Sequence, residues 1–573
     1  MKYNRRKIIL GTIMVVILIL LGVGWYYIRA WKSTIKAKLT ERIVKSTDSL
    51  YTLNYDALDV NLLAGNVTLQ NAELLSDSTI YHRLEAAQKA PGNRFHIKVS
   101  SLKLTNLSIW DILVVKKINI SHIRIDSAAI HLIRKQHAYT DSVKNKESKS
   151  LYEHIKDDFN AVKVDQITLD NMNFKLSTVT DEDEVSTDVA IDSARIVIGD
   201  FLLDANSARD TSRLFYAKEI DLDIPRFDYE FPNSVYKIKF ERLTFHSKSQ
   251  QALFHKIVLA PKIRKLDYFK QDKKNKAMIV LAWDTLRLEG IDMNEMASNR
   301  LLYAKYAYIK GGSASFHKDK RFQKDSISKV GEAPHQIVMK LNRRIRCDTI
   351  FVNNVDVSYQ EYSAKYNQEG VITFQQAKGN ITNLTNDTSK LAKDKFMRAD
   401  LQAKIMGVGV LHAQFGFDML SKNGSHTYKG TLGRMQAPAF NRILTPLLNF
   451  EFGSGNIHGI RFDMQGSDYK NWGEFRFDYD DLKINLLYAP GDKPTRKKKG
   501  VLSFLVNQLL IDDSNPAANG EHRVGHVNYT RVPSYSFFKT LWKSLQEGIQ
   551  QCVGLGGRTG RILMDRGETA EER

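Results

Sequence analysis

Read for chemistry, the chain offers clustered carboxylates, scattered histidines, two thiols and a basic loop, and none is spaced as a catalytic set. Thr180 is followed by Asp181, Glu182, Asp183 and Glu184 before Val185. A calcium loop would need a glycine at its sharp turn and alternating ligands, which this run lacks, so a solvated hairpin tip is expected. His122, His131 and His412 sit in alternating strand patterns, where they read as surface or satisfied side chains. Asp126, Asp170 and Asp348 recur beside strand ends, and turn chemistry accounts for them. A paired-carboxylate hydrolase would need two of them in one cleft. GxSxG, HExxH and GxxxxGK[ST] are all absent. The glycines at 554, 556, 557 and 560 follow a helical pattern instead of a strand and miss the dinucleotide spacing. Cys347 and Cys552 are the only cysteines, too few for a disulfide framework or a cysteine metal site. The basic loop 491–500 carries Lys493, Arg496, Lys497, Lys498 and Lys499 without the aromatic interleaving of a nucleic-acid site. No catalytic residue, cofactor or metal ligand is expected, and no nucleic-acid partner; the chain is not read as an enzyme.

What remains is the chemistry of apolar surface. In residues 118–132, Ile118, Ile120, Ile123, Ile125, Ile130 and Leu132 alternate, skip one place, alternate, meet a polar pair and alternate again. Val162, Val164, Ile167, Leu169, Met172, Phe174 and Leu176 have the same spacing around Asp170-Asn171, and Ile345, Cys347, Ile350, Val352, Val355, Val357 and Tyr359 around Asn353-Asn354. Leaner copies lie at 97–109 around Thr105-Asn106, at 281–293 around Glu289-Gly290, and more weakly at 62–74 around Gln70-Asn71. Period two puts one face of a strand in an apolar medium and the other in water. The skipped place suggests a bulge, and the polar pairs tolerate turn angles. Each copy is expected to run strand, bend, strand, turn, strand. Repetition along one chain predicts strands side by side in a long sheet that must hide a continuous apolar face.

At 573 residues the chain exceeds one compact core, and its charge of +20 suits anionic partners such as a phospholipid surface. Residues 8–28 contain no charge and are long enough to span a bilayer, which takes about 20 residues. Lys2, Arg5, Arg6 and Lys7 precede this run, and Trp25, Tyr26, Tyr27 and Trp31 stand at its far end. Bulky aromatics where a signal peptidase needs small residues favour an uncleaved anchor over a signal peptide. The expected order is a cytoplasmic N-terminus (1–7), a transmembrane anchor (8–28), an N-terminal β-groove region (29–317), a linker (318–335), a second β region (336–533), an amphipathic helix (534–553) and a flexible tail (554–573). Shorter helices are expected over 31–52, 76–91 and 440–452, and a polar loop over 135–150.

In the C-terminal helix Phe537, Phe538, Leu541, Trp542, Leu545 and Ile549 fall on one face, flanked by Lys539 and Lys543. That pattern suits a cap on the sheet, or an interfacial helix touching a second membrane.

The order of parts resembles the AsmA-like proteins of Gram-negative envelopes. The resemblance is carried by the anchor, by the alternating phrasing ending I-D-x-A-x-I-x-L, by Gly453-Ser454-Gly455-Asn456-Ile457, by the run Tyr479-Asp480-Asp481-Leu482-Lys483-Ile484, by Asn515-Pro516, and by Phe537-Phe538 through Ile549. It implies an inner-membrane, single-pass protein with its bulk in the periplasm. It also implies likeness to bridge-type lipid-transfer proteins, whose bent sheet forms an apolar groove for acyl chains. The fold expected is therefore mainly β: an elongated, curved antiparallel sheet forming an apolar groove, with an N-terminal transmembrane helix and a C-terminal amphipathic one. The groove candidates are Ile118, Ile120, Ile123, Ile125, Ile130, Leu132, Val164, Ile167, Leu169, Phe174, Ile350, Val352 and Val357. The partners implied are phospholipid, the inner membrane through 8–28, and outer-membrane or envelope proteins at the far end. A non-transporting scaffold that recruits envelope partners is the alternative.

Overall fold

Alternation sustained over nineteen residues at a time makes this chain a protein of long strands. The computed structural model describes residues 47–554 except 62–63, 138, 140–150, 181–184, 208, 211, 233, 325, 491–496 and 510. The anchor at 8–28, most of the helix expected over 31–52, the acidic run and the tail therefore lie outside the described residues. Among those described, 23 strands belong to a large mixed, mostly antiparallel sheet, with few helices. None of the described helices is long and apolar enough to cross a membrane. Two compact units are present: one runs to His255 and takes in Glu289–Asn299, and the other comprises Lys256–Leu288 and the chain from Arg300 on. The division falls inside the strand Gln251–Pro261, away from the stretch 318–335.

In the first unit the full template copies are the strands Lys117–Lys135 and Ala161–Val179. The expectation of a wholly antiparallel sheet is corrected here, because these neighbours run parallel. Their register sets Ile118 beside Val162, Ile120 beside Val164, Ile123 beside Ile167 and Ile130 beside Phe174. Parallel pairing needs a crossover of a dozen or more residues, and the chain between the two strands, 136–160, is long enough for one; most of the polar loop expected there lies outside the described residues. Ile155 and Phe159 of that crossover are buried.

The turn expected inside each copy is also corrected. Ser127 and Asn171 do adopt left-handed angles, φ +52° and +53°, but the strand continues through both, and at Asn171 the register shifts as a bulge. One residue is spent, and the next apolar trio returns to the same face. In the leaner copies around Thr105-Asn106 and Glu289-Gly290 the polar pair does end the strand, whereas the strand Asn66–Ser76 runs on through Gln70-Asn71. Asn106 and Gly290 have positive φ, and short helices follow at Ile109–Val115 and Met293–Asn299. The helix Ser78–Ala86, capped by Asp77, lies within the stretch read as helical.

In the second unit the strands Leu301–Asp319 and Arg344–Tyr362 form another parallel pair. Here the crossover runs over 320–343: Lys318 and Asp319 of the charged stretch still belong to the strand, and the helix Pro334–Met339 starts where that stretch ends. Antiparallel neighbours follow from Glu369–Thr385 to Val524–Thr530. The helix Phe537–Cys552, capped by Ser536, packs on the last two strands. Gly548 permits that approach, since a β-carbon there would stand 2.5 Å from the Phe475 ring. A buried ion pair ties the parts of this unit together. Arg531 is 3.2 Å from Asp468, with side-chain exposures of 2% and 6%. Arg531 also donates to the Lys329 and Tyr535 carbonyls, while Asp468 accepts from Gln336 and from the Gly331 amide.

Candidate functional site

Strand register turns the alternation of single strands into rows of apolar side chains that cross the sheet. In the first unit one row runs Leu69, Leu102, Ile125, Leu169, Ile196, Leu222, each residue the direct partner of the next. A second runs Leu74, Ile97, Ile130, Phe174, Ile191, Phe227. These rows change character along their length. Leu69, Leu102, Ile125 and Leu169 are 2–7% exposed, whereas Ile191, Ile196, Leu222 and Phe227 are half-buried.

The groove candidates divide accordingly. Ile118 and Ile123 are 0% exposed, and Ile120, Ile125, Ile130, Leu132, Val164, Ile167 and Leu169 are also buried, with Phe174 half-buried. All of these but Phe174 are closed to water. In the second unit Ile350, Val352 and Val357 are half-buried. Ile350 and Val357 belong to the rows Ala307–Ile350–Ile381–Ala399 and Ala314–Val357–Phe374–Ile405. The row through Val352 meets Gly379, whose φ is +142° and where an added β-carbon would stand 2.0 Å from the Asp400 carbonyl oxygen, leaving no room for a side chain. Further along, the rows close: Tyr428, Met464 and Phe475 are at most 2% exposed beneath Phe537 and Leu541.

The terminal helix splits the residues expected on one face. Phe537 and Leu541 enter the core, and Leu545 and Ile549 pack against it. Phe538 and Trp542 point outward, 63% and 39% exposed. A helix turns 100° per residue, so a six-residue apolar set spreads wider than the contact it makes.

The polar candidates stay on the outer face. His122 bonds Thr168, His131 bonds Ser177 and His412 bonds Asp400. Asp126 and Asp170 are register neighbours, yet Asp170 is held by Arg124 and Arg195 at 2.8 and 3.1 Å. They meet on the face opposite the apolar rows, not in a cleft. Asp348 accepts from Arg346 and Tyr303. Both cysteines are free thiols, and burial pushes that of Cys347 up to about 11. Among the described residues no His, Cys, Asp and Glu group is arranged to hold a metal.

Reading the sequence missed Ile191, Ile196, Ile198, Ile220, Leu222 and Phe227. The alternation Ile196-Val197-Ile198 and Ile220-Asp221-Leu222 was the available signal, but without the full template around it. No family model matches the chain, and no curated protein matches it.

Proposed function

We propose that this chain is an inner-membrane-anchored periplasmic protein that binds phospholipid acyl chains along the apolar face of its sheet, for lipid transport or outer-membrane maintenance. The observation that carries the reading is half-exposure of apolar side chains that stand directly opposite one another on neighbouring strands. Ile196 with Leu222 in the first unit, and Val357 with Phe374 in the second, are such pairs. Ile196, Leu222 and Val357 keep part of their apolar surface open, although the row through Val357 reaches the core at Ile405. Each methylene buried against them contributes roughly 0.8 kcal/mol, so a single acyl chain gains several kcal/mol without any catalytic group. The uncharged run at 8–28 and the AsmA-like phrasing support the envelope setting.

The second reading, a scaffold that recruits envelope partners, is favoured by the closure around Ile118 and Ile123. Lipid extraction from the purified full chain, with mass spectrometry, separates the two. The acyl-chain reading expects co-purifying phospholipid that is largely lost in Val352→Glu and Val357→Glu while the far-ultraviolet circular dichroism is kept. A folded wild-type protein without lipid, or variants that retain it, would leave the scaffold.

A further inference from the structure

Three successive connections at one end of the second unit's sheet each carry an exposed apolar side chain beside an exposed cation. The strands Glu369–Thr385, Phe396–Ile405, Gly409–Asp418, His426–Leu432, Phe450–Gly466 and Lys470–Leu486 are neighbours in that order. Lys393 and Phe396 stand where the first passes to the second, Leu420 and Lys422 where the third passes to the fourth, and Tyr469 and Lys470 where the fifth passes to the sixth. Phe396, Leu420 and Tyr469 are 37%, 47% and 65% exposed, and the three lysines are exposed as well. Hydrogen bonds join one tip to the next. The Met419 amide donates to the Lys395 carbonyl at 2.9 Å, and the Asp468 amide to the Asn423 carbonyl at 2.8 Å. With two strand spacings from tip to tip, they recur about every 10 Å.

The carboxylates of this rim are already engaged. Asp387 is held by Arg344 at 2.9 Å, Asp394 by Arg398 and Asp418 by Lys395 at 2.7 Å each, and Asp468 by Arg531 at 3.2 Å. Glu332 on the adjoining crossover pairs with Lys329 at 3.0 Å, and Asp348, 3.9 Å from Lys390, is held by Arg346 at 3.0 Å. Among the described residues, Lys393, Lys422 and Lys470 pair with no carboxylate; the Lys470 ammonium lies 5.1 Å from the centre of the Trp472 ring. The rim therefore presents apolar tips and uncompensated positive charge together.

We propose that this rim docks on the surface of a bilayer that contains anionic phospholipid. A protein partner needs a continuous patch with a buried centre, and separate tips with lysines between them supply none. A headgroup layer accepts each tip on its own. Leu, Phe and Tyr side chains enter the boundary between headgroups and acyl chains, while lysines beside them keep their ammonium groups at the phosphates. Negative surface potential supplies the counter-charge that the engaged carboxylates do not. The inference goes beyond the acyl-chain reading and stands without it.

The test is flotation of the full chain, kept soluble in a non-ionic amphipol, with vesicles of phosphatidylglycerol and phosphatidylcholine in equal parts, and separately of phosphatidylcholine alone. The anchor contributes equally in every variant, so differences between variants read the rim. Binding to the anionic vesicles is expected to exceed binding to the neutral ones and to fall with salt. Each lysine removed costs about fivefold, so Lys393→Gln with Lys422→Gln should weaken anionic-vesicle binding about 25-fold, and the double arginine variant should retain it. Leu420→Ser with Tyr469→Ser should weaken it about tenfold or more. Val408, 55% exposed on the turn at the opposite end of the sheet, is the control, and Val408→Ser should leave binding unchanged. Should a double variant fail to fold by circular dichroism, Lys422→Gln or Leu420→Ser alone takes its place. Equal binding to both kinds of vesicle, unchanged binding in the folded rim variants, or an equal loss in Val408→Ser overturns the proposal. So does a dimer in the absence of vesicles that Leu420→Ser breaks, which assigns the rim to a second copy of the chain. Val357→Glu, which tests acyl-chain capture, should leave anionic-vesicle binding unchanged, so the two readings fail separately.

Discussion

Ile123 and Ile167 stand side by side on parallel strands, 0% and 5% exposed. Equivalent positions of two template copies have become direct neighbours. Their burial makes this contact part of the first unit's core. Ile123→Ala is therefore expected to cost about 2–5 kcal/mol, the transfer term plus the cavity. Val352→Ala, at a half-buried position of the second unit, should cost well under half as much. Chemical denaturation of lipid-free protein measures both; equal losses would show that the two faces are covered alike.

The bulge at Asn171 makes a backbone prediction. Its φ of +53° suits asparagine or glycine. Asn171→Gly should leave the melting temperature nearly unchanged, whereas Asn171→Val should destabilise by about 1–3 kcal/mol because a β-branched residue resists this angle. A harmless valine would argue that the strand can straighten there.

Acid should weaken the second unit through His335. This side chain is 0% exposed, against the Phe417 ring at 5.2 Å. Burial, then His426, holds it down to about 4 from an ordinary 6.5. Its folded-state value is depressed, so the unfolded chain binds the proton first. Stability is full above pH 6.5 and falls as pH drops towards 4, by roughly 3 kcal/mol in total. Unfolding free energies across this window should show a shallower slope in His335→Phe.

Breaking the Arg531–Asp468 pair should be severe. Arg531→Met leaves a buried carboxylate with one cation fewer and frees the Lys329 and Tyr535 carbonyls. The expected loss is about 3–5 kcal/mol. Arg531→Met combined with Asp468→Asn should recover part of it. Thermal unfolding, with limited proteolysis of the 320–343 crossover, reads both effects.

The sequence by itself determined the strands, their apolar side, the polar pairs that take left-handed angles, and the helices over Ser78–Ala86 and Phe537–Cys552. All of these follow from local alternation, caps and backbone preference. Only the tertiary structure decided that the full copies pair in parallel, that Asn171 is a bulge while Asn106 ends its strand, and that Ile123 is closed from water while Val352 is half-buried. A period of two specifies which face of a strand is apolar. What lies over that face, and which strand lies beside it, is set by segments distant in the chain, whose approach no local pattern records.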